Sequence, residues 1–150
     1  MSSRLFTVLL VEDDARDAGR LARAFTAVGL PGMMQTVASV EEAMAYLSGR
    51  DAYENRDLFP MPGLILLNLG LSRRADFKLL RWLRGEPELR HIPVVVLAAA
   101  REPIGYDQAW ELGAASYLVK PVEPDALGSM IEAVVAYWRM DQRSQDRPRK

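Results

Sequence analysis

Five short apolar runs rich in β-forming residues recur along the chain, at Leu5 to Val11, Met34 to Ala38, Leu64 to Leu67, Ile92 to Leu97 and Ser116 to Val119. The stretches between them carry apolar residues at helical spacing. Strands and helices that alternate in this way build a parallel sheet covered on both faces. The pattern predicts a doubly wound α/β domain with five strands and five helices. The first helix, Asp14 to Val28, places Ala18, Leu21, Ala22, Phe25 and Val28 on one side, with Gly29 as a left-handed stop. Ser39 and Glu42 form a capping box at the start of the second, which turns Val40, Ala43, Met44 and Leu47 inward and ends at Gly49. A third helix is expected from about Asp76 to Arg84 and a fourth from Ile104 to Leu112. The fifth, from Pro124, bears a stripe of Leu127, Met130, Ile131, Val134, Val135 and Trp138. Arg50 to Gly63, with two prolines between Phe59 and Gly63 and several charges, reads as an exposed polar insertion.

A chain of 150 residues suits one such domain, which buries roughly 70% of its unfolded surface. We expect a single domain over 1–141 and a polar tail over 142–150, where no apolar residue remains. The net charge of -1 gives no field to draw in nucleic acid or anionic lipid. Without cysteine there is neither a disulfide nor a thiolate nucleophile, and His91 alone cannot supply a histidine-rich metal site. The run Leu5 to Val11 ends in three acids and is too short to span a bilayer or to serve as a signal peptide. The expectation is a cytoplasmic protein that binds neither nucleic acid nor membrane.

In an open parallel sheet the functional crevice lies beyond the carboxyl ends of the strands, where the strand order reverses. The first run ends in Glu12, Asp13 and Asp14, the third in Asn68, the fourth in Ala98 to Ala100, and the fifth in Lys120 and Pro121. Acids, an amide and a lysine should therefore converge on one crevice. The three acids also suit a second role, capping the first helix and answering its dipole. A flavin or nucleotide carrier would need a phosphate-cradling loop rich in Ser, Thr or Gly after the first strand, where acids stand instead.

The segments VLLVEDD, LILLNL, IPVVVLAAA and SYLVKP resemble the signature strands of response-regulator receiver domains, over about Leu5 to Trp138. The PELRHIPVVVL and YLVKPV stretches are similar to the single-domain regulators that accompany bacterial phytochromes. The resemblance implies a CheY-like sheet of order 2-1-3-4-5. It also implies a phosphoryl group passed by a histidine kinase to an aspartate at the end of the third strand. It further implies that Glu12 and Asp13 are the metal acids, Lys120 the pocket lysine and Tyr117 the rotating aromatic of the switch. On that pattern Asn68 stands at the acceptor position and Ala98 at the position of the hydroxyl that senses the phosphoryl group.

A neutral amide is not a useful nucleophile toward phosphorus, and one carboxylate fewer weakens the case for Mg²⁺ to shed its water. The expected protein is therefore no enzyme and requires no cofactor, with at most weak Mg²⁺ binding at Glu12 and Asp13. It would act as an atypical response regulator, through phosphorylation-independent contact with a sensor histidine kinase or a phytochrome. The alternative is a phosphotransfer intermediate modified at a substitute such as Asp13 or Ser72. Homodimerisation is expected through the fifth helix and tail, with Tyr137 and Trp138 as interface residues. Trp82 and Trp110 read as helix-packing residues, and His91 as exposed.

Overall fold

The structure is a computed structural model that describes residues 6–28, 32–69, 73–98 and 103–119, together with Asp125, Ala126, Gly128, Ser129, Glu132, Ala133 and Ala136. Five strands, β1 (Phe6–Val11), β2 (Gly32–Val37), β3 (Leu64–Asn68), β4 (Val94–Ala98) and β5 (Ser116–Val119), alternate with helices α1 (Ala15–Val28), α2 (Val40–Ser48), α3 (Arg73–Gly85) and α4 (Pro103–Glu111). The strands are all parallel and lie in the order β2-β1-β3-β4-β5. Four helices are defined where five were expected, because the stretch assigned to the fifth falls mostly outside the described residues. The seven described positions between Asp125 and Ala136 are helical.

The central strands are apolar but for Thr7 of β1 and the terminal Asn68 of β3, because both of their faces are covered. Every residue of β1 and β4 is buried, as are the first four of β3. Alternation then sorts them into two cores. Phe6, Val8 and Leu10 meet Leu21 and Phe25 of α1 on one face, while Leu9 and Val11 meet Val40, Ala43, Leu79, Leu80 and Leu83 of α2 and α3 on the other. β4 begins two residues later than its apolar run, since Ile92 closes a turn onto the Leu89 carbonyl at 3.0 Å and Pro93 has no N–H for the ladder.

The capping box of α2 forms, in a shifted version. The Glu42 N–H donates to Ser39 Oγ at 3.1 Å, and the Glu42 carboxylate accepts the N–H of Ala38 rather than that of Ser39, at 3.4 Å. Gly49 ends the helix at φ +66°, in the left-handed region that favours glycine.

The connection after α2 is exposed along most of its length, as expected, but it is anchored to the domain rather than loose. A 3-10 turn at Asp51–Tyr53 is followed by Arg56, whose guanidinium donates to the carbonyls of Tyr46 at 2.8 Å, Leu47 at 3.0 Å and Phe59 at 3.1 Å. Two of these lie in the last turn of α2, where the Tyr46 carbonyl also accepts the Gly49 N–H at 3.1 Å. Tyr46, Tyr53 and Phe59 pack ring against ring at centroid separations of 5.0 to 5.9 Å, and the Tyr46 hydroxyl donates to the Pro60 carbonyl at 2.8 Å. The segment is thus a strap with a core of its own.

Burial pushes the Tyr46 hydroxyl up from its ordinary value near 10 to about 12, although the Arg56 cation pulls it down in part. A raised folded value means stability that is complete below pH 10 and is lost as pH climbs through 12. The stability advantage of the native chain over Tyr46→Phe should therefore shrink between pH 10 and 12. Urea unfolding of the two proteins in parallel checks this, and a constant difference would contradict it.

Candidate functional site

The reversal of strand order falls between β1 and β3, and their register sets Val11 beside Leu67. The next residue on each, Glu12 and Asn68, therefore meets its counterpart at the carboxyl edge of the sheet. Asn68 Nδ2 donates to Glu12 Oε2 at 2.9 Å. This orientation of the amide is required, because the reverse would set its oxygen against a carboxylate. The other amide atom, Asn68 Oδ1, is buried and has no hydrogen-bond partner among the described residues.

Glu12 is only 4% exposed, its N–H held by the Val37 carbonyl at 2.9 Å. The three acids after β1 separate into different roles. Asp14 is the cap of α1, its Oδ1 accepting the N–H groups of Arg16 at 2.8 Å and Asp17 at 3.1 Å. Asp13 is exposed and faces the crevice, and Glu12 is the buried member. Capping thus accounts for one of the three acids, and two are left for the crevice.

The crevice is a cleft of about 380 Å³, with Val11, Ala38, Val40 and Ala75 among its apolar lining and Glu12, Asp13, Ser39, Glu41, Asn68 and Asp76 as its polar groups. Ser39, Glu41 and Asp76 were not among the expected site residues. The signal for the first two was the capping box itself, since a helix that starts directly after β2 must open at the same edge. Asp76 is only 8% exposed, one turn into α3, and gives the cleft a fourth carboxylate. No group of three or more His, Cys, Asp or Glu side chains is placed to hold a metal ion among the described residues.

Ala98 is the last residue of β4, buried and paired with Val119. It presents a methyl group where a side-chain hydroxyl could have reached the edge. Tyr117 is half-buried and packs edge-on against Tyr106 of α4, with centroids 5.1 Å apart. Tyr106 in turn meets Trp110 at 5.9 Å. Trp110 corrects the expectation of a helix-packing residue, since it is 43% exposed, whereas Trp82 is half-buried against the core as expected. His91 is exposed. Lys120, Tyr137, Trp138 and Ser72 lie outside the described residues.

The response regulator receiver domain family matches residues 8–132, five-sixths of the chain. The chain belongs to that family. This receiver domain is 29% identical to the response regulator Rcp1 of Synechocystis over 131 residues, 87% of each protein. It is 31% identical to a probable methanogenesis regulatory protein, FilR2, of Methanothrix harundinacea, over 89% of this chain and 83% of that one. Among solved structures, the bacteriophytochrome response regulator AtBRR is similar at a TM-score of 0.74 and 33% identity, covering 88% of this chain and 94% of that one. The phosphorylated cyanobacterial phytochrome response regulator RcpA matches at a TM-score of 0.74 and 28% identity, covering 90% and 94%. The chain is thus a receiver-domain response regulator of two-component signalling with phytochrome-linked relatives. No described helix is long and apolar enough to cross a membrane.

Proposed function

We propose that this receiver domain signals without phosphorylation, by binding a sensor histidine kinase or a phytochrome as adaptor, competitor or sink. The observation that carries the reading is the Asn68 to Glu12 hydrogen bond. An aspartate acceptor would present an anionic oxygen at the end of β3, whereas this amide directs a neutral donor at the neighbouring carboxylate and offers no nucleophile. Ala98 removes the hydroxyl that would register a phosphoryl group. Both ends of the relay to Tyr117 are altered, so the domain is held in one constitutive state.

The cleft suits Mg²⁺ poorly. Glu12 is already engaged by an amide donor, Asp13 is exposed, and the acceptor that Asn68 offers between them, Oδ1, carries no charge. Binding at Glu12 and Asp13 is accordingly weak, with Lys120 left to answer the acids. Homodimerisation through the fifth helix and tail, with Tyr137 and Trp138 at the contact, would double the docking surface.

Incubation of the pure protein with acetyl phosphate and Mg²⁺, followed by intact mass measurement, tests the reading. The expected spectrum is unchanged. A gain of one phosphoryl mass would sink it in favour of a phosphotransfer intermediate, for which the exposed Asp13 at the cleft is an accessible carboxylate. Peptide mapping would then locate the group on Asp13, Ser72 or elsewhere.

A further inference from the structure

We propose that Arg84 is a latch by which α3 holds the end of α4, and with it the aromatic face that α4 shares with β5. The device stands whether or not the cleft takes up a phosphoryl group.

The need for it lies in α4 itself. A helix of nine residues is marginal alone, and α4 has no basic residue in its last turn to answer its dipole. The missing cation comes from the neighbouring helix. Arg84, in the last turn of α3, donates from Nη1 to the carbonyl of Glu111, the final residue of α4, at 2.6 Å. That carbonyl is among those that a helix end leaves without an internal partner.

The turn beyond is shaped to admit the arginine. Gly113 sits at φ +94°, and a Cβ built on it would lie 3.0 Å from Arg84 Cδ. A side chain at this position would be strained and would displace the arginine stem, so glycine both turns the chain and seats the latch. From there the chain leads directly into the sheet: the Ala114 N–H returns to the Ala109 carbonyl at 2.9 Å, and that of Ala115 reaches Val94 at 2.8 Å. Trp110, the residue before Glu111, meets Tyr106 one turn further back, and Tyr106 carries the aromatic contact to Tyr117. Securing the helix end therefore secures how this face is presented. Arg84 is a positioning residue and touches none of the cleft side chains.

Hydrogen exchange measured by mass spectrometry on the full chain tests the latch, with Arg84→Met preserving the stem and removing the cation. The amides of Leu112, Gly113 and Ala114 should exchange about tenfold faster, as expected for losing a charge-assisted hydrogen bond at a helix end, while those of β1 stay unchanged. Arg84→Lys, which keeps a cation without the planar fork, should fall between. Unchanged exchange at the three amides would overturn the proposal. So would equal acceleration in β1, which marks a general loss of stability, or Arg84→Lys matching Arg84→Met, which would show that the cation does not secure the helix end.

Discussion

Asn68→Asp should raise Mg²⁺ affinity by about tenfold or more, on the order of 1.4 kcal/mol, because it exchanges a neutral donor for a carboxylate directly beside Glu12 and Asp13 at the strand ends. Calorimetric titration of the two proteins at equal ionic strength measures the difference. The same variant should take up a phosphoryl group from acetyl phosphate and yet keep its oligomeric state, because Ala98 still offers no hydroxyl to sense it. Equal Mg²⁺ affinities would remove Asn68 from the account of the cleft. A full phosphorylation-dependent change in assembly from this single substitution would show that Ala98 is not the second break in the relay.

The second large effect lies on the other side of the domain. Arg56→Met should lower the unfolding free energy by about 2–3 kcal/mol, since the three carbonyls it serves lose a charged donor and two of them end a helix. Methionine retains much of the stem, so the loss would report the guanidinium rather than the packing. Urea unfolding by circular dichroism provides the measurement. A change below about 0.5 kcal/mol, the range of an ordinary surface substitution, would mean that the aromatic trio alone supports the strap.

The central part of the fold was legible because burial on both faces leaves its mark on every residue of a strand. β1, β3 and β4 could be recognised as predominantly apolar runs, and the Ser39 cap and the Gly49 stop are local chemistry readable within a few residues. Arg56 left no such mark. Its partners are main-chain carbonyls, which any sequence supplies, and a single cation in a polar stretch looks like one more solvated charge. The cleft was legible to the extent that it is made of strand ends: Glu12, Asp13 and Asn68 meet as the parallel order requires. Asp76 was missed because it enters from the start of α3, whose rotation relative to the sheet edge is set by packing rather than by spacing. Trp110 was misread for a related reason, since an aromatic at helical spacing looks the same whether its ring lies beneath a helix or along its flank.

The pairing of Asn68 with Glu12 also bears on how such a protein could be controlled in the cell. A carboxylate acceptor makes a regulator responsive to the flux of its kinase and phosphatase, so that its output follows chemistry completed in seconds. Under the proposed function, an amide closed onto its neighbour has no such input. Under the proposed reading the strength of the signal is then set by copy number, and its duration by synthesis and proteolysis, so that a change in expression does what a change in phosphate occupancy does for its relatives.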